Sequence, residues 1–503
     1  MKTLKFGGSS VEDAGKIRHV ISIIKNEAGN GSLCVVCSAM KGVTDELIRA
    51  ARLAEEGRPG YRALLERLEE RLIRACEGLF PQGEREASFS PLFESCGELL
   101  DILHGVELVR ECTPRSLDLI MSFGERLNCA LIAGAMRSMG INARYVDARE
   151  LIVTDERYGS ARVDFTASCR NIRRRLGGAL SGRAGAGGVI FIVTGFIAAT
   201  SSGVTTTLGR NGSDYTAALC AAALDSQALE VWKDVDGVLS ADPNIVRGAF
   251  VIDEVSYEEA MEMSFFGAEI IHPYTMGPVL EKNIPLRVKN TLNPSVPGTL
   301  IARDIGRHEW PITSIASIGN AALINVEGSG MQGTPGIASR VFAALAKADV
   351  NVIMISQASS EHSICIVIRA GEAKKALSAL KAELAAETQA RLIGNFAVMK
   401  DLEIVAIIGE NMRGRPGISG ELFSALGRAG VNVLAIAQGS SERNISFVVD
   451  GRDKVQAINT VHRAFFGAAG KRKSEAKLRT AGPKIAAPKK AARPKKAERG
   501  GVQ

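Results

Sequence analysis

Two rhythms of apolar residues alternate along the N-terminal half of this chain. Strand-length apolar runs occur at TLKF (3–6), LCVVCSAM (33–40), ARYVDA (143–148), GVIFIVTGF (188–196) and LEVWKDVDG (229–237), closed by small or acidic residues such as Gly, Ser and Asp. Helical spacing of three to four residues fills the gaps. One helix is predicted over about 13–25. Residues 44–140 read as mostly helical, a layer and insertion with charged amphipathic stretches such as 61–77. Apolar strands alternating with helices predict an α/β architecture: a mainly parallel sheet sandwiched by helices, with ligands beyond the carboxyl ends of the strands. Residues 284–301, ending NPSVPGTLI, close this region.

A different pattern starts near Pro311 and occurs twice. GTPGIASRVFAALAKADVNVIMISQASSEHSICIVI (333–368) aligns without gaps to GRPGISGELFSALGRAGVNVLAIAQGSSERNISFVV (414–449), at a constant offset of 81. Each copy predicts a Pro-Gly turn, a helix with apolar residues four apart (Ile337, Val341, Leu345), an alternating strand, a Gln-x-Ser-Ser-Glu turn and a second strand. This is a small α+β module present as a pair, and a pair suits pseudo-symmetry better than a solenoid. The implied division is a first domain over 1–302, modules over 311–390 and 391–467, and a tail over 468–503.

Charge changes the picture only at the tail. The formal net charge is +7, but residues 471–503 hold 12 Lys/Arg against 2 Glu, so the other 470 residues sum to −3. The Lys/Ala/Pro-rich tail has little to bury and is expected to be disordered. Weak polyanion binding is its second reading, and the folded body offers no case for nucleic acid. Strand-length apolar runs predict no membrane span. MKTLKFGGSSV has no apolar h-region, so no signal peptide is expected and the cytoplasm is the default compartment. Nine cysteines are scattered. Cys34 and Cys37 form a C-x-x-C inside LCVVC, which reads as a buried strand before a redox or metal pair.

Candidate chemistry centres on LGRNGSDYTAALCAAALD (208–225). A Gly-Arg-Asn-Gly turn opens into an Ala/Leu-rich helix with Ser213 and Asp214 at N-cap and first-turn positions. Glycines admit close backbone approach, the helix start favours an anion, and Arg210 can fork a carboxylate. The turn after the first strand, Gly7-Gly8-Ser9 beside Lys5, suits a phosphoryl group in the same way.

KFGGSSV (5–11), SFGERLNCALIA (122–133), LGRNGSDYTAA (208–218), WKDVDGVLSADP (232–243) and FGAEIIHP (266–273), followed by the paired modules, resemble the aspartate kinases of the amino-acid kinase family and their ferredoxin-like ACT domains. The resemblance runs from residue 1 to about 467. It implies phosphorylation of the side-chain carboxylate of L-aspartate by ATP with Mg2+, the entry to lysine, threonine and methionine synthesis. It further implies Lys5 neutralising transition-state charge, oriented by Asp214. Arg210 would grip the α-carboxylate and Glu125 the α-ammonium, with Ser38, Thr44 and Ser213 giving hydroxyls. Gly7, Gly8, Ser9, Lys233, Asp234 and Asp242 would face the nucleotide; no residue is assigned to a metal. Leu239, Asn244 and Glu269 stand where the family commonly has Tyr, Arg and Lys, and Lys233 replaces a common Thr. His272 reads as a packed structural histidine. In the modules, Gln357 and Gln438 end strands that start near Asn351 and Asn432; at identical spacing, these four are candidate contacts for a zwitterionic amino acid. QASSEHSI and AQGSSERNISFVV resemble threonine-sensitive members, so threonine is the first expected effector and lysine the second. ACT pairing implies a homodimer or higher oligomer. No dehydrogenase half is expected after the second module. Two alternatives stay open: a related kinase of another small acid, and an amino-acid sensor without turnover.

Overall fold

The computed structural model describes residues 1–480 apart from 30, 181–187, 268–272, 307–308, 329–330, 332–334 and 358–361. An eight-stranded sheet organises the first part, in the order Ala143–Val146, Ile190–Thr194, Leu33–Cys37, Lys2–Phe6, Leu229–Lys233, Leu286–Asn290, Thr299–Ala302, Glu254–Ser256. Every neighbour pair is parallel except Leu286–Asn290 with Thr299–Ala302, so the expected sheet class holds. Side chains alternate between two cores, as a period of two requires. Leu4, Phe6, Val35 and Cys37 pack with helix Ala14–Ala28 and the helical layer that follows it. Cys34, Val36, Phe191 and Val193 pack with helices Phe165–Leu176 and Gly212–Ala223 on the other face. Cys34 and Cys37 therefore point to opposite faces, both free and buried, as a strand rather than a redox pair.

The insertion is four helices, Val43–Glu55, Gly60–Leu79, Arg85–Val109 and Pro114–Ser138. Among the described residues Pro114–Ser138 is one helix long and apolar enough to cross a bilayer, and 78% of its apolar window is buried inside the molecule. Its hydropathy comes from small and apolar residues packed on both sides, which is how a core helix passes the same test.

The duplicated modules share one antiparallel sheet, ordered Val352–Gln357, Ser363–Arg369, Ser314–Glu327, Asn395–Ile408, Asn444–Asp450, Ala435–Gln438. Helices Ile337–Lys347 and Ile418–Arg428 begin after the two Pro-Gly turns, as predicted. The outer strands approach each other, Ser356 Oγ donating to the Ile436 carbonyl at 2.9 Å. Two boundaries differ from expectation. Asn432 lies three residues ahead of its strand, because regular pairing with Asn444–Asp450 starts at Ala435. The expected disordered tail begins as helix: Lys454–Thr480 continues past a non-helical Gly467. Residues 468–480 (AAGKRKSEAKLRT) are rich in Ala, Lys, Arg, Glu and Leu, residue types of high helix propensity. Residues 481–503 lie outside the described residues.

Candidate active site

The site lies where three adjacent strands end. Strand Lys2–Phe6 runs into a 3-10 turn, Gly8–Ser10, and Lys5 is its last inward-facing polar side chain, 7% exposed. Lys5 Nζ lies 2.6 Å from Asp214 Oδ1, and Asp214 is 3% exposed in the first turn of helix Gly212–Ala223. The helix start differs in detail from expectation. Asn211, not Ser213, is the N-cap; it has φ 59° and makes no side-chain capping bond. Gly209 (φ 75°) and Asn211 turn the chain through two left-handed residues, which asparagine tolerates better than most side chains. That shift puts Ser213 and Asp214 inside the helix, both buried and directed at the strand ends.

A closed circuit of contacts links these groups. Ser213 abuts Gly195, where a Cβ would stand 2.5 Å from the serine Cβ. Gly195 N donates to the Cys37 carbonyl at 2.9 Å, and Ser38 N donates to the Phe6 carbonyl at 3.2 Å. The Ala39 amide then donates to Glu125 Oε1 at 3.1 Å, and Asn128 Nδ2 donates to the Ser38 carbonyl at 2.7 Å. Thr44 stands half-buried in the first turn of Val43–Glu55, beside Val43, which packs near Gly124. Lys5, Asp214, Ser213, Ser38 and Glu125 thus line one end of the sheet, with Thr44 close by.

Glu125 is the outstanding electrostatic feature. It is 3% exposed, and among the described residues its Oε2 has no hydrogen-bond partner. Burial pushes its carboxyl up to about 8, against a smaller opposing pull from the Ala39 amide. A buried carboxyl with one satisfied oxygen and one bare oxygen is built to receive a cation.

Arg210 is exposed on the loop between strand Thr205–Thr207 and the helix that carries Asp214. Sequence reasoning missed what fixes that loop. Buried Asp118 accepts from Thr207 N at 2.9 Å and Thr207 Oγ1 at 2.8 Å, and also from Gly159 N. Asp118 and Glu125 are seven residues apart on Pro114–Ser138, so one helix face serves both the arginine loop and the candidate cation pocket. Phe196 was also missed. Its φ of 66° and its contact with Gly212 mark a constrained residue at the mouth of the circuit.

Gly7, Gly8 and Ser9 are half-buried, and a Cβ on Gly8 would lie 2.8 Å from the Ala39 carbonyl. Lys233 ends the neighbouring strand, whose register pairs Phe6 with Trp232, so Lys233 and exposed Asp234 flank the glycine turn. Ser10 Oγ and Thr291 Oγ1 share a hydrogen bond at 2.8 Å, and Thr291 N donates to the Lys233 carbonyl at 2.7 Å, tying the two together. Asp242 is not drawn into this circuit. It is exposed, and its Oδ1 accepts from both Asn244 N (2.8 Å) and Nδ2 (3.0 Å). Leu239 forms an isolated antiparallel bridge with Val251. Glu269 and His272 lie outside the described residues. Asn351, Gln357, Asn432 and Gln438 are all exposed, remote in the fold at the outer edges of the second sheet.

The contact at Gly195 yields a direct test. Gly195→Ala is expected to push helix Gly212–Ala223 off the strand ends at a cost of about 1–3 kcal/mol. Turnover should fall at least tenfold while the fold persists, as read by steady-state kinetics and circular dichroism; unaltered kinetics would show that the helix start plays no part.

Residues 2–290 match the amino acid kinase family, and residues 324–384 and 405–465 each match an ACT domain. A chloroplastic bifunctional aspartokinase/homoserine dehydrogenase 2 of Arabidopsis thaliana is 37% identical over 92% of this chain and 50% of its own length. The chain thus spans about half the length of the plant relatives it matches. An aspartokinase of Candida albicans is 30% identical over 91% of this chain and 88% of its own. Among solved structures, E. coli aspartokinase III with aspartate and ADP (R-state) is 29% identical, with TM-score 0.75, over 93% of this chain and 100% of that one.

Proposed function

The chain belongs to the amino acid kinase family, among its aspartokinases, and we propose that it phosphorylates the side-chain carboxylate of L-aspartate with ATP. The observation that carries this reading is the pairing of Lys5 with Asp214 at the same sheet end as the bare, buried oxygen of Glu125. One side-chain oxygen of aspartate attacks the γ-phosphorus, the bond to the β,γ-bridging oxygen breaks, and ADP leaves. The attacking group has a pKa of about 4, so it arrives ionised and needs no base. The barrier is electrostatic, the approach of an anion to a triphosphate. Lys5 lowers it by meeting the charge that develops on the transferring group, and Asp214 holds the ammonium in place. Glu125 takes the substrate ammonium, Arg210 the α-carboxylate, and Ser38, Thr44 and Ser213 complete the pocket.

Mg2+ bound with ATP supplies charge neutralisation at the phosphates. Gly7, Gly8, Ser9, Lys233 and Asp234 form the nucleotide end; Asp242, engaged with Asn244, serves by shaping its loop. The catalytic unit is 1–302, with regulatory modules 311–390 and 391–467, working in an aqueous compartment, the cytoplasm first. Formation of aspartyl hydroxamate from ATP, aspartate and hydroxylamine, compared across other small acids, tests the reaction. Nucleotide binding without any acyl phosphate would favour the sensor instead.

For regulation we infer threonine as effector, with lysine second. Gln357 and Gln438 support it by their equivalent, exposed positions on two strands that nearly touch. Exposed Ile355 (46%) and Ile436 (44%) on those strands support a second copy as their cover. Gln357→Ala or Gln438→Ala should raise the half-inhibitory threonine concentration about tenfold, the loss of one or two amide hydrogen bonds, with uninhibited kcat unchanged. An identical inhibition curve for both variants would move the effector elsewhere.

A further inference from the structure

The segment after Lys233–Asp234 is packed through Val238 and Ala241, both buried in the core, and is held further by hydrogen bonds. A cavity of about 370 Å3 lies against it, walled by Leu239, Asp242 and Asn244 on one side and by Ser314–Ser317 and Ile458 on the other. Hydrogen bonds beside this cavity add to that packing. Three such bonds come from outside the catalytic unit. Ser314 Oγ donates to the Leu239 carbonyl at 2.8 Å, Ile315 N donates to the Ser240 carbonyl at 2.9 Å, and the Ser240 hydroxyl meets His462 Nε2 at 3.0 Å. His462 belongs to the C-terminal helix, 222 residues away in sequence.

Phe250 N donates to Ser240 Oγ at 3.1 Å, which leaves the serine one proton to give and one lone pair to receive, so the His462 tautomer sets the direction of the last bond. His462 is 6% exposed, its ring 4.7 Å from Phe466 and 6.2 Å from Phe250, and burial pulls its pKa down to about 4. Asn459, one turn earlier, donates to the Ile245 carbonyl at 3.0 Å, so the helix grips the same excursion at two points.

We propose that His462 is a positioning residue for the nucleotide: through Ser240 it fixes the segment that follows Lys233 and Asp234. The proposal rests on the kinase reading and places part of the nucleotide site's support in the regulatory half. His462 touches neither nucleotide nor aspartate; it acts through Ser240.

The test uses the full chain with His462→Phe, His462→Gln, Ser240→Ala and the double variant His462→Phe/Ser240→Ala. Phenylalanine keeps the ring packing and removes the hydrogen-bonding group; glutamine keeps one that can donate or accept. Binding of a fluorescent ATP analogue is measured beside kcat and both KM values. The Kd for nucleotide and the KM for ATP should rise about five- to tenfold in His462→Phe and in Ser240→Ala, the loss of one buried hydrogen bond. Aspartate KM and kcat should stay within about twofold. The double variant should be no worse than either single one, and His462→Gln should restore affinity. Unchanged nucleotide affinity in both single variants overturns the proposal. So does a joint loss of kcat, aspartate KM and melting temperature that glutamine does not rescue, which is the mark of a structural role. If the unaltered chain binds the analogue but makes no hydroxamate, the kinase reading alone falls; if it binds no nucleotide, both fall.

Discussion

Lys5→Ala is expected to cut kcat by about 10³-fold, the scale for removing one preorganised group that meets transition-state charge. Lys5 is the ion-pair partner of Asp214. The change also strands Asp214, 3% exposed, without its 2.6 Å partner. An unpaired buried charge costs roughly 3–5 kcal/mol, so part of any loss could come from a weakened fold. Two measurements separate the effects. Binding at the proposed effector site should survive, because Gln357 and Gln438 lie on a different sheet. Lys5→Ala/Asp214→Asn should regain melting temperature by removing the stranded charge, without regaining turnover. Activity within tenfold of the parent, in a well-folded variant, would take Lys5 out of the mechanism.

Much of this centre was legible because each part is local in sequence. The strand ends Phe6, Cys37 and Thr194 are each followed within two residues by glycine or serine, so apolar runs alone located the end of the sheet where the site lies. The register of parallel strands then brings those ends together without further information. Glu125 was legible for a similar reason, since the apolar LNCALIA after it put the carboxyl on a buried helix.

The parts that escaped are those whose partners are far along the chain. Asp118 looks like a surface acid in SLDLIM, and only the fold delivers Thr207, 89 residues later, to its oxygens. His462 sits in an unremarkable TVHRAFF, and Ser240 is 222 residues away. Local ambiguity accounts for Asn211. Asn-Gly-Ser-Asp offers several capping side chains in a row, and the left-handed turn at Asn211 settles the choice by moving the helix start back. The same conformational detail hid Phe196, whose positive φ carries no sequence signal in a non-glycine residue.

Glu125→Gln is expected to make the ligand-free chain more stable and the enzyme far worse. The carboxyl stands at about 8 in the fold against an ordinary value of 4.5. Between those pH values the folded state binds more protons than the unfolded state, so stability falls as pH rises from about 4.5 to 8. At pH 7 the accumulated penalty is about 3 kcal/mol, at 1.36 kcal/mol per unit. Glutamine carries no such penalty and can still accept from the Ala39 amide, so its melting temperature at pH 7 should exceed the parent's. In the proposed reaction, a substrate ammonium offsets the penalty by holding the carboxylate ionised. Below about pH 8 that ionisation costs roughly tenfold in apparent aspartate affinity per pH unit, so KM for aspartate should climb as pH falls and level off above 8. In Glu125→Gln the climb should vanish, and aspartate binding should weaken by roughly 3–5 kcal/mol because the ammonium enters a buried pocket without a counter-charge. A glutamine variant with the parent's KM and the parent's pH profile would mean that the bare oxygen of Glu125 faces no ligand at all.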